Sequence, residues 1–189
     1  RYTSLVKKAL KQIDCLLSPS QYTADQHIQA GIASRVQVLP LFSNICPENY
    51  ANESEGKIRF VAVGRITASK GILALTEFFA KWPDYELIVV GDGDLLLELK
   101  QRHRSQGNIK FVGQVSQQEL QRYYRSATAL ILPSLAPETF GLTVVEAFAC
   151  GVPAIVRAAG GSKELVEDNR TGFVYTCLLY TSPSPRDSN

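Results

Sequence analysis

The chain has 189 residues, 45% of them hydrophobic and 20% charged, with a formal net charge of +2. That composition is globular, with room for one full domain and part of another. It excludes bulk nucleic-acid binding, because no dense run of Lys and Arg marks any segment. No apolar stretch approaches the length of a membrane-spanning helix and no signal peptide is read at the start. The four cysteines, Cys15, Cys46, Cys150 and Cys177, lack metal-type spacing, so a reducing, cytoplasmic setting is expected.

In chain order, the pattern begins with a helix over Tyr2 to Lys11, a strand over Ile13 to Leu17, a helix over Gln21 to Ala30 and a strand over Val36 to Leu39. Residues 1–42 are too few for a free-standing domain and read as the remnant of a preceding α/β domain. A polar, aperiodic segment with Pro47 follows, so 43–57 is expected to be an interdomain linker.

From Ile58 onward, short apolar runs alternate with helical patterns, the signature of βαβ units on a parallel sheet. Strands are expected over Ile58 to Val63, Glu86 to Val90, Asn108 to Val112, Thr128 to Leu132, Ala154 to Val156 and Phe173 to Tyr175. Between them, Lys70 to Trp82 carries apolar residues at helical spacing, and Leu95 to Gln106 repeats the pattern more weakly. Asp94 is read as an N-cap. Ser116 followed by Glu119 is a capping box for a helix reaching Arg125. The expectation for 58–176 is a Rossmann-like, doubly wound α/β domain whose ligand crevice lies at the carboxyl ends of the strands. The last segment, 177–189, is aperiodic, broken by Pro183 and Pro185, and resembles the translation of a sequencing-library adapter; it is set outside the fold.

The notable polar residues fall just after strands. Gly64-Arg65 and Lys70-Gly71 follow the first strand of this domain, offering a bidentate phosphate grip from Arg65 and a point charge from Lys70. Gly113 closes the third strand and permits a flat ring to approach the backbone. Glu138 and Glu146 are separated by seven residues around Gly141 and the expected start of a helix. A helix N-terminus attracts anions, and carboxylates beside it suit the hydroxyls of a ligand that also carries phosphate. A nucleotide sugar has both. Gly160 and Gly161 could turn amides toward a diphosphate or sugar. Glu164, Glu167, His27 and His103 are assigned no catalytic part, the two acids being read as exposed on a helix.

The ordered set Gly64-Arg65, Lys70-Gly71, Gly91-Asp92-Gly93, Phe111-Val112-Gly113, the pair Glu138 and Glu146, Gly151 with Pro153, Gly160-Gly161 and Thr171-Gly172 resembles the nucleotide-sugar-binding half of retaining glycosyltransferases of family 4. Those enzymes have the GT-B fold of two facing Rossmann-like domains. The resemblance implies that Arg65 and Lys70 neutralise the diphosphate and the charge growing on the leaving group. It gives Glu138 to the sugar hydroxyls and Glu146 to the ribose, with help from the amides of Phe140, Gly141, Leu142 and Thr143. No metal is implied. The donor expected is a UDP or GDP sugar, and the acceptor an unidentified glycan or lipid-linked molecule, which would place the parent enzyme peripherally at the inner membrane face. Segments Asp14 to Ser20 and Arg35 to Leu39 resemble the end of the acceptor domain, whose body is missing; the fragment alone is expected to bind donor without turnover.

Two rivals are weaker. A retaining glycoside hydrolase using Glu138 and Glu146 as acid and base would need carboxyls at about 5–5.5 Å, whereas eight helical steps span about 12 Å. A nicotinamide dehydrogenase would show G-x-G-x-x-G after the first strand, and none is present. A non-catalytic nucleotide-sugar-binding module, or a sugar-nucleotide epimerase relative, remains the alternative.

Overall fold

A computed structural model describes residues 9–10, 12–33, 35–45, 56 and 58–176. Most of the helix expected over Tyr2 to Lys11, most of the linker and the 177–189 tail lie outside the described residues. The first unit is a two-stranded parallel sheet, β1 (Leu16–Ser18) with β2 (Val36–Val38), joined by helix α1 (Gln21–Gln29). The β1 strand lies slightly later than the expected Ile13 to Leu17.

The main body is a six-stranded parallel sheet of β3 (Arg59–Val63), β4 (Glu86–Val90), β5 (Ile109–Gly113), β6 (Ala129–Leu132), β7 (Ala154–Arg157) and β8 (Gly172–Tyr175), in the order β5-β4-β3-β6-β7-β8. Counting from β3, this is the doubly wound order 3-2-1-4-5-6. The order reverses between β3 and β6, so the crevice belongs where the chain leaves those two strands.

Strand side chains alternate between the two faces, and the core divides accordingly. Val61, Ile88, Val90, Leu130 and Leu132 share a cluster with Tyr124 of helix α4 (Gln117–Arg125) and with Val144 and Ala147 of helix α5 (Leu142–Ala149). Their sequence neighbours Ala62, Leu87, Val89 and Ile131 pack instead with Ile72, Leu75 and Phe79 of helix α2 (Ile72–Phe79) and with Leu96 and Leu99 of helix α3 (Leu96–Arg102). Both faces are covered. An eight-residue helix such as α2 is not stable alone; burying Ile72, Leu75 and Phe79, worth roughly 1.5–3 kcal/mol each, holds it in place.

The capping box of α4 is present: the Ser116 hydroxyl accepts from Glu119 N, and Glu119 accepts in return from Ser116 N. Two expected helix starts are corrected. Lys70 lies in a short 3-10 turn, Ala68–Lys70, and α2 begins only after Gly71, whose φ of 70° breaks the helix there. Asp94 does not cap α3, because Leu95 holds that position without a side-chain bond. Carbonyls of Ile66 and Gly93 instead receive the amides of Leu95 and Leu96. At the other end of the body, Glu86 is bonded by Arg59 and Lys110. Burial alone would raise its pKa, but those two cations outweigh it and hold the carboxyl below its ordinary value.

Candidate functional site

Arg65, Lys70, Glu138 and the α5 N-terminus all lie in the two loops that leave β3 and β6. The loops are stitched by main chain. Ser69 O accepts from Leu135 N at 2.9 Å and Ala136 N at 3.1 Å, and a Cβ at Gly71 would stand 2.1 Å from the Pro133 carbonyl oxygen. Only glycine closes that seam, through both its positive φ and its missing side chain.

Across the seam, Lys70 Nζ donates to Glu138 Oε1 at 2.6 Å, with both side chains half-buried. The buried Ser134 hydroxyl donates to the same carboxylate oxygen. Lys70 has two further N–H groups, so it can hold Glu138 and a second anion together. Arg65 is exposed, and its side chain has no hydrogen bond or ion pair among the described residues. Another cation, Arg157 at the end of β7, donates to Leu135 O at 2.5 Å and braces the loop before Glu138.

Gly141, at φ 104°, caps α5 without a side-chain bond, and the amides of Phe140, Gly141, Leu142 and Thr143 donate to no group among the described residues. They form the positive end of the helix dipole. The Phe140 ring is buried, while Leu142 is exposed. One turn further, Glu146 is half-buried and accepts from the hydroxyl of fully buried Tyr124 at 2.8 Å. Burial raises the Glu146 pKa, and the Tyr124 bond works in the opposite direction. Burial first, and the neighbouring carboxylate second, push the Tyr124 hydroxyl far up, so it stays a donor.

The remaining glycines separate into two kinds. Gly64 and Gly113 end β3 and β5 with open space in front of their Cα atoms. Gly160 and Gly161 are closely packed: a Cβ on Gly160 would lie 2.5 Å from Glu138 N and O, and Gly161 N donates to Glu138 O at 2.6 Å. These two glycines therefore carry the Glu138 backbone, and the Gly161 amide is already engaged. The segment after them is a 3-10 turn, Gly161–Leu165, rather than the helix expected there. Glu164, read as a simple exposed acid, accepts from Gln21 N and Tyr22 N of α1. His27 bonds Thr23 O, and His103 is buried against Phe111. Among the described residues, no three His, Cys, Asp or Glu side chains gather where a metal ion could be held, and no helix is long and apolar enough to cross a membrane.

Residues 48–177 match the family described as Glycosyl transferases group 1. The chain belongs to that family. This group 1 glycosyltransferase chain is 25% identical over 188 residues to sulfoquinovosyl transferase SQD2 of Arabidopsis thaliana, covering 91% of the chain and 36% of that protein. It is 36% identical over 118 residues to D-inositol 3-phosphate glycosyltransferase of a Mycobacterium species, covering 58% of the chain and 27% of that protein. Its fold is similar to Anabaena Alr3699/HepE in complex with UDP-glucose, with TM-score 0.80 and 26% identity, covering 92% of this chain and 53% of the other. Sucrose-phosphate synthase from Thermosynechococcus elongatus gives TM-score 0.76 and 27% identity over 93% and 49% of the two chains. The chain thus spans about a third of those curated relatives and about half of those solved structures, in keeping with a GT-B C-terminal domain.

Four residues at this candidate site belong to no motif in the sequence. Ser134, Tyr124, Arg157 and Ser20 reach the site through contacts whose partners lie on other elements or across a turn. Only Ser134, one residue past the Pro133 that ends an apolar run and four before Glu138, was within reach of a spacing argument.

Proposed function

We propose that this chain is the donor-binding half of a retaining glycosyltransferase of family 4 that takes its sugar from UDP or GDP. The observation that carries the reading is the convergence of unpaired Arg65, the Lys70–Glu138 pair and the open α5 amides at the point where the strand order reverses. Relatives and neighbours named for glycosyl transfer, one of them holding UDP-glucose, support it.

In this reading the diphosphate lies over the α5 N-terminus, gripped by Arg65 and by the free N–H groups of Lys70. As the glycosidic bond breaks, negative charge moves onto the leaving phosphate. Cations and amides fixed beside it stabilise that state more than the ground state, and such terms typically reach about 3–4 kcal/mol per donor group. Glu138, oriented by Ser134 and Lys70, receives sugar hydroxyls, and Glu146 receives the ribose hydroxyls. Gly64 and Gly113 leave room for the nucleotide, and Gly160 supports Glu138 from behind. Retention follows from attack on the face the diphosphate leaves, with the acceptor, a glycan or lipid-linked molecule, presented by the partner half of a parent enzyme that can lie at the membrane surface. Without that half, transfer by this chain is lost, because positioning two reactants is worth about 7–11 kcal/mol.

Titration calorimetry with UDP, GDP, ADP and UDP-glucose tests the reading. UDP or GDP should bind and ADP should bind less well; absence of heat with all four at millimolar concentration removes the nucleotide site. Lys70→Met should weaken UDP about tenfold, one charge-assisted contact's worth. Glu138→Ala should leave UDP within about twofold but weaken the intact sugar donor, while Glu146→Ala should weaken both. Equal losses of UDP and UDP-glucose in both Glu variants contradict that division.

A further inference from the structure

Helix α1 precedes the six-stranded sheet in the chain, yet its N-terminus is built into the loop that carries Glu138. Ser20 caps the helix, its Oγ accepting from Thr23 N at 3.1 Å while donating to the Thr139 carbonyl at 2.6 Å. The Thr23 hydroxyl donates to the same carbonyl at 2.9 Å. The Glu164 carboxylate also accepts from this end of α1, from Gln21 N at 2.9 Å and Tyr22 N at 2.6 Å. The approach depends on Gly161, where a Cβ would stand 2.4 Å from Thr139 O and 2.6 Å from Ser20 Oγ. Ser20 is 2% exposed and Ala24, one turn on, is 1% exposed, so this end of α1 is a packed contact.

A trans peptide points its carbonyl and its following amide in opposite directions. With Thr139 O held toward α1 by two hydroxyls, the Phe140 N–H is aimed away from α1, beside the open N-terminus of α5. We propose that Ser20 and Thr23 are positioning residues for the donor diphosphate: by fixing the Thr139 peptide they orient the Phe140 amide, and Glu164 keeps α1 in place to do so. The proposal rests on the donor-site reading above. It also couples the segment before the sheet to the phosphate grip, so a displacement of α1 loosens the site without touching Arg65, Lys70 or Glu138.

The test measures UDP and uridine binding to the full 189-residue chain and to Ser20→Ala/Thr23→Val. Uridine lacks the diphosphate, so only a role in aiming the amide separates the two ligands. UDP should weaken about tenfold in the double variant while uridine stays within about twofold, and Ser20→Thr, which keeps the hydroxyl, should bind UDP like the parent chain. Should the double variant not fold, Thr23→Val alone removes one of the two hydroxyls and is expected to lower UDP affinity about threefold with the same selectivity. Unchanged UDP affinity, or equal loss of UDP and uridine, overturns the positioning role. A parent chain that binds neither ligand overturns the donor site itself, and the positioning role with it.

Discussion

Glu146 meets two opposed demands. Its proposed partner, a ribose, is held best by an ionised carboxylate, yet burial on α5 raises the pKa and penalises that form, with the Tyr124 bond compensating only in part. The folded chain therefore holds this proton to higher pH than the unfolded chain does. Its contribution to stability is fully present below the unfolded pKa and is lost as pH rises through the folded value. Glu146→Gln should accordingly melt higher than the parent chain at pH 7.5, with the gap narrowing toward pH 4, while UDP affinity falls. UDP binding by the parent chain should also weaken as pH drops through the raised Glu146 value, a limb the Gln variant lacks. Identical melting of the two chains at both pH values contradicts the burial penalty.

At the scale of elements, helix ends show which signals are local. Ser116→Ala should cost about 1 kcal/mol, since the hydroxyl caps α4 and its partner Glu119 answers it. Asp94→Ala should stay within about 0.5 kcal/mol, since Asp94 caps nothing; urea unfolding of the two variants separates these outcomes. Asn108 is a third case: its Nδ2 lies within hydrogen-bonding distance of the carbonyls of Phe79 at 2.9 Å, Trp82 at 3.2 Å and Tyr85 at 3.0 Å. Asn108→Ala should cost about 1–3 kcal/mol by leaving the Tyr85 carbonyl without its side-chain donor, while Phe79 O and Trp82 O keep the amides of Trp82 and Tyr85. The same contrast explains what could be read from the chain. All six strands were legible because each is a short, mostly apolar run, although Lys110 and Phe173 of the edge strands β5 and β8 are exposed, and α4 because its capping box lies within four consecutive residues. The starts of α2 and α3 were not, because Gly71 answers to Pro133 and Leu95 answers to Ile66. Among site residues, the pair Glu138 and Glu146 was visible from spacing. Tyr124, 22 positions from Glu146, and Glu164, 143 from Gln21, acquire their partners only through folding.

For the whole molecule, the crevice is assembled from loops of β3, β6 and β7 and from the end of α1, so a ligand there ties together parts far apart in the chain. UDP at one hundred times its dissociation constant should add about 2.7 kcal/mol of stability. For a chain of this size that corresponds to a rise in melting temperature of about 5–11 °C, readable by calorimetric scanning. The rise should be smaller in Lys70→Met at the same UDP concentration, and a shift that Lys70→Met leaves intact would place the ligand elsewhere.

The seam at Gly71 has a consequence for how such a site changes over time. Because main-chain atoms of Ser69, Gly71, Pro133, Leu135 and Ala136 join the two loops, the spacing between the cations and the α5 terminus does not depend on which side chains line the sugar end. In the proposed reading, substitutions beside Glu138 exchange one sugar for another while the spacing of the cations and the α5 terminus is kept. On that reading, descendants with different donors share one backbone there, and a mutational library confined to 135–137 and 158–159 is the economical place to redirect donor choice.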